Sequence, residues 1–337
     1  MRRFAAVLLA VGMIFGSLAL RNSVETAEES ADSSASGSGG DSAQNADGRF
    51  RLLCASDLEE ICTKLGDQNE SLIVSFETAG TTADRLTELN KSEDPGFEAW
   101  LTVGPWEKIV QDNRSFANDS DQVLAEPSKV LASSETVIMS LTSAQPDVEQ
   151  ACGGPITWKC LGENQTLPKP QSIGIPSPNT GLGLAVLADA TNSYFGNSEY
   201  SSVDFESEGF PAWFEQLTQK SRTLQQSSVP LLGQAVAKQG AFTTVGAVSA
   251  QVQSLPNSTK KYTQVSAPAE ALVPSVQAQV RLVPAVGQTA KGALDQVDSK
   301  LLINLLAEAK WNTDPVEKES NLPSAGVLQL LREMWDL

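Results

Sequence analysis

The sequence predicts an α/β fold for residues 50–337, and three observations carry the prediction. Apolar runs of strand length alternate with amphipathic segments of helix length from Arg51 onward. Such alternation argues for a largely parallel sheet covered by helices on both faces. The first unit, Phe50 to Cys62, reads as a buried strand running straight into a helix, with Ser56 at the N-cap and Glu59 three residues on as a capping box.

The elements follow in order. Residues 51–55 are the first strand, and 57–65 a helix with Leu58, Ile61 and Leu65 on one face. Residues 71–77 are a second strand, followed by a Thr/Gly turn and a helix over 82–89. A third strand over 98–103 ends at Gly104, and Pro105 begins the next helix, where proline is tolerated near the first position. Residues 135–141 are a strong strand. A helix over 156–161, a strand over 172–175 and a helix over 182–195 repeat the theme. Helices over 209–221 and 230–238, a strand over 242–247 and a short helix over 248–253 come next. A strand over 280–286 and helices over 300–310 and 327–335 close the chain.

At 337 residues the length suggests about two domains once the N-terminal region is set aside. The formal charge of −17 argues against nucleic acid as a partner, since that needs a basic footprint. Arg2 and Arg3 precede an uncharged apolar run from Phe4 to Leu20, so residues 1–21 read as a signal peptide or a membrane anchor. Ser17 and Ala19 offer small residues for cleavage, and no Cys follows for lipid attachment. Either reading puts the rest of the chain outside the cytoplasm, secreted or held by an N-terminal helix. Residues 22–48 are an acidic Ser/Gly linker too poor in large apolar residues to fold, spanning roughly 30 Å as a coil.

Four cysteines fall into two pairs of equal spacing, Cys54 with Cys62 and Cys152 with Cys160. In an oxidising compartment this favours two local disulfides over free thiols. The chain has no His, which excludes Ser-His-Asp and Cys-His triads and histidine metal ligands. No phosphate-binding glycine motif occurs, and no cofactor or metal is expected. Binding of a small molecule, not catalysis, is the expected activity.

In order along the chain stand Cys54-Ala55-Ser56-Asp57, Gly80-Thr81-Thr82-Ala83-Asp84-Arg85-Leu86, Trp100 to Trp106, Leu131 to Met139, Ile173 to Gly183, and Asn321 to Gly326. With these the chain resembles the type II solute-binding proteins of ABC importers over residues 50–337. The element from Cys152 to Cys160 is similar to an actinobacterial exported branch of that class. The resemblance implies a two-lobed fold, each lobe a mainly parallel sheet flanked by helices, joined by two crossover strands. It places lobe one at 50–137 plus 262–337 and lobe two at 138–261, with a ligand in the cleft and closure about a hinge.

Three helix starts should then face the cleft: Ser56 with Asp57; Gly80, Thr81 and Thr82; and Asn179, Thr180 and Gly181. Free N–H groups and a positive dipole end at each suit an anion or a carboxylate. Each is also an ordinary N-cap taken alone. Trp106 is a candidate apolar wall or a core residue, and Thr243 and Thr244 are further candidates from lobe two. Asp57 is expected to serve the dipole of its own helix, not to face inward. Two functions stay open: a solute receptor that delivers to an ABC permease, and a membrane-anchored adhesion or sensor module with a surface partner.

Overall fold

The computed structural model describes residues 48–90, 93–117, 121–163, 173–221, 230–238, 241–255, 261–265, 274–314 and 320–336. The expected signal or anchor segment and all but the last residue of the linker lie outside them. Among the described residues no helix is long and apolar enough to cross a membrane.

Strand β1 (Phe50–Ala55) leads through a 3-10 turn (Ser56–Leu58) into helix α1 (Glu59–Gln68). Then come β2 (Leu72–Glu77), α2 (Ala79–Glu88), β3 (Ala99–Val103) and α3 (Trp106–Phe116). The long strand β4 (Ala132–Leu141) follows, then α4 (Gln145–Cys152), α5 (Trp158–Glu163), β5 (Ile173–Gly174) and α6 (Gly181–Phe195). After α7 (Phe210–Lys220) and α8 (Leu231–Ala237) come β6 (Thr244–Val248), α9 (Ser249–Ser254), β7 (Tyr262–Gln264) and β8 (Gln277–Pro284). The chain ends with α10 (Ala290–Gln296), α11 (Ser299–Glu308) and α12 (Ala325–Trp335).

The described strands run in the order β2-β1-β3-β8-β4-β6-β5, with β7 also on β4. The first three are mutually parallel, and β8 joins β3 antiparallel. Strand β4 divides its pairing along its length. Residues 132–135 pair with β8, whereas residues 136–140 pair with β6 and residues 139–141 with β7. One ten-residue strand therefore belongs to two sheets, and β7 with β8 brings the chain back beside it. This is the geometry of two lobes joined by crossover strands. The strand expected over 135–141 begins three residues earlier, because the small residues Ala132 to Ser134 take their pairing from β8. The expected lobe boundary after Lys261 falls before β7, whose pairing is with the far half of β4.

The apolar pattern accounts for the layers. Helices α1 and α11 pack together, burying Ile61 and Leu65 with Leu302 and Leu305 in the first core. In the second half an aromatic cluster of Tyr200, Phe205, Phe210, Trp213 and Phe214 packs under α6. Helix α6 is apolar on nearly every face and is buried accordingly. It supplies Leu182, Leu184, Ala185 and Ala188 to the core of the first half, and Val186, Leu187 and Ala190 to that of the second. Helix α12 is shared in the same way, through Ala325 and Leu328 on one side and Val327 and Leu331 on the other.

Both expected disulfides are present, Cys54–Cys62 and Cys152–Cys160. The first ties the end of β1 to α1 and the second ties α4 to α5.

Candidate functional site

The site is built where the β1–α1 turn, the start of α2 and the corner after β3 meet the start of α6. The turn after β1 differs from expectation. Ser56 is not an N-cap: Ala55 holds that place, no side chain caps the turn, and α1 begins only at Glu59. The expected Ser56–Glu59 capping box does not form, because three residues of 3-10 backbone intervene and carry Ser56 ahead of the helix proper. Ser56 remains half-buried at the junction.

Asp57, the next residue, does not serve its own helix. Its Oδ2 accepts from the N–H of Gly181 at 2.6 Å and of Leu182 at 3.4 Å, the first turn of α6. A carboxylate therefore already sits on the helix start that sequence reasoning reserved for an anion. Thr180 caps the same helix, accepting from Gly183 N at 3.0 Å while donating to Ser177 O at 2.8 Å. Desolvation raises the Asp57 pKa to about 6, opposed by its bonds from Gly181, Leu182 and Thr180.

The second helix start faces the same place. Helix α2 begins at Ala79, with Thr78 as the cap; its Oγ1 accepts from Thr81 N at 3.4 Å. That leaves Gly80 N–H without an intrahelical acceptor, and it donates instead to Asn179 O at 2.8 Å. Gly80 and Gly181 are small for a reason. A Cβ on Gly80 would meet Asn179 Oδ1 at 2.7 Å, and one on Gly181 would meet Val103 O at 2.1 Å. Thr81 is exposed, and its hydroxyl pairs with Thr78 at 2.7 Å. Thr82 is fully buried and donates to Glu77 Oε2 at 2.7 Å, which Arg85 also holds, so its role is to brace α2.

Arg332 of α12 completes the junction and was not singled out from the sequence. Its Nε donates to Asn179 Oδ1 at 2.5 Å, Nη1 donates to Asp84 Oδ1 at 2.7 Å, and Nη2 pairs with Asp84 Oδ2. The guanidinium lies over the Trp106 ring, 5.8 Å from its centroid. Trp106 is fully buried, and its Nε1 has no hydrogen-bond partner among the described residues. The signal in the sequence was a single cation in the otherwise apolar stripe of the last helix.

Thr243 and Thr244 do not reach the junction. Strand β6 runs antiparallel to β4, with Thr244 opposite Ser140 and Val248 opposite Thr136. The end of β6 near the crossover is thus Val248, about 13 Å along the strand from Thr244. The helix start that does reach it is that of α9, where Ala250 N donates to Ser134 Oγ at 2.9 Å. Strand direction is set by pairing, which the sequence of a single strand does not reveal.

No protein-family model matches the sequence, and no curated protein is similar to it. Solved structures are similar in fold. A periplasmic thiamin-binding protein superposes with a TM-score of 0.55 at 10% identity, covering 85% of this chain and 94% of that one. Iron-bound HitA from Pseudomonas aeruginosa gives 0.53 at 11% identity, covering 86% and 99%. A Trichodesmium protein (IdiA, FutA), in complex with iron and citrate, gives 0.50 at 11% identity, covering 86% and 98%. At such identities the similarity speaks for the fold: the chain has the two-lobed α/β fold of type II periplasmic solute-binding proteins.

Proposed function

We propose that the chain is an extracytoplasmic solute-binding protein that captures a small anion or carboxylate between its lobes and delivers it to an ABC importer. Lobe one comprises residues 50–137 and the return from β8 onward, and lobe two residues 138–261 with β7. The observation that carries the reading is the carboxylate already seated on α6: Asp57 Oδ2 lies 2.6 Å from Gly181 N. A helix start that holds one carboxylate has the donors and the dipole to hold another. On opening, Asp57 leaves with lobe one, and the carboxylate of a ligand takes its place. Gly80, Asn179 and Thr180 border the same spot, and the buried Trp106 Nε1 offers an unused donor beside it. Residues 1–21 would direct export, as a cleaved signal or as an anchor.

Thermal shift of the full chain against oxyanions, carboxylates, amino acids, sugars and polyamines tests this. Stabilisation by an anionic solute, abolished when Gly181 is enlarged, is expected. A flat response across the panel contradicts the reading.

One observation favours the second reading, an anchored adhesion or sensor module. The apolar core of the first half continues into α6 through Leu182 to Ala188, and α12 packs on both halves. A chain that keeps this interface shut would present a fixed surface to a partner and bind no solute. Solution scattering with and without solute separates the two, since only a receptor changes its dimensions.

A further inference from the structure

We propose that Asp57 is a latch that holds the two lobes together when no solute is bound. This rests on reading the α6 start as lobe two, and it goes beyond solute capture to the control of closure.

The contacts that cross the junction fall into two kinds. Gly80 N to Asn179 O is a neutral backbone bond at 2.8 Å, and Arg332 Nε meets a neutral amide oxygen on Asn179. The charges of Arg332 and Asp84 are spent on one another. Asp57 differs. It is an acidic side chain on the turn after β1 whose bonds go to N–H groups 124 and 125 residues away. Two N–H groups of one helix start converge on a single carboxyl oxygen, at the end where the helix dipole favours negative charge. The first turn of α6 carries no acidic residue that would oppose it.

The latch also accounts for how closely the two sides meet. With Asp57 on Gly181, Val103 O is brought against Gly181 so closely that no side chain would fit, and Leu182 and Leu184 reach the first core. Separating the lobes must break the Asp57 bonds and the Gly80–Asn179 bond together. Cutting the first should therefore loosen the second, although Asp57 does not touch Gly80 in any hydrogen bond described.

Amide hydrogen exchange resolved by residue on the full chain, without solute, tests this. In Asp57→Ala the amides of Gly181 and Leu182 should exchange about tenfold faster, and that of Gly80 should rise with them, while β8 keeps its protection. Faster exchange at Gly181 and Leu182 with Gly80 unchanged would reduce Asp57 to a local cap and overturn the latch. Should the variant unfold, the wild-type chain decides the matter. Gly80 and Gly181 should then share one opening free energy in a denaturant series, and two distinct values overturn the proposal. Because no solute is present, the latch can fail in a chain that binds solute, and can hold in one that binds none.

Discussion

Asp57 Oδ2 accepts a hydrogen bond from Gly181 N at 2.6 Å, across 124 residues of sequence. The strand–helix turn after β1 thus ends on the start of a helix that packs into both apolar cores. An acidic residue there makes the junction sensitive to pH. Burial raises its pKa from 3.8 to about 6, so the folded state binds this proton more tightly than the unfolded chain does. Its contribution is full below about pH 4 and is lost as pH rises through 6. Other ionisable groups on the elements around it include Asp84 and Arg332, which pair with each other, Glu59 and Glu60 on α1, and Glu107 on α3 and Asp189 on α6, both raised by burial. They are common to both chains in a comparison with Asp57→Asn. Urea unfolding should show the wild type losing about 2–3 kcal/mol against that variant between pH 4 and pH 7.5. A difference that does not vary with pH contradicts a buried Asp57.

Gly181→Ala tests the closeness of the two halves. A methyl group there would stand 2.1 Å from Val103 O, so the helix or the strand must move. A cost of about 1–3 kcal/mol is expected, several degrees in Tm. Gly326→Ala is the matched control. Gly326 is exposed on α12 with open space around its Cβ position, and the variant should gain about 0.5–1 kcal/mol from helix propensity.

Arg332 should couple to both of its partners. Asp84 is half-exposed, so the ion pair itself is worth only about 0.5–1 kcal/mol in a double-mutant cycle of Arg332→Met and Asp84→Asn. The single change Arg332→Met should cost more, about 2 kcal/mol, because the half-buried Asn179 Oδ1 also loses its donor. Equal costs for Asp84→Asn and Arg332→Met would show that Asn179 does not matter.

The Cys54–Cys62 bond closes a short loop between the end of β1 and α1. Cys54→Ser with Cys62→Ser should lower stability by about 2–3 kcal/mol. Reduction of the wild type should cost more, because it opens Cys152–Cys160 as well, and fluorescence-monitored unfolding with and without reductant measures both losses.

Much of this was legible in the sequence. The βα alternation and the two cysteine pairs needed only local pattern, and α6 announced itself through Thr180 followed by a long apolar run. What was not legible depended on which groups meet. Ser56 and Asp57 are adjacent and both suit a helix start, and only the approach of α6 shows that Asp57 carries the contact. The antiparallel pairing of β6, which sets Thr244 at the end away from Asp57, is likewise not written in the strand itself. Arg332 lies 248 residues from Asp84, and no local pattern joins them.

The most direct test is calorimetric titration of the full chain with small anions and carboxylates, repeated on Asp57→Ala and on Gly181→Ala. The account predicts that one solute binds the wild type, binds Asp57→Ala more tightly because the seat on α6 is free, and fails to bind Gly181→Ala. A solute that binds all three chains with equal affinity would place the site elsewhere and contradict the account.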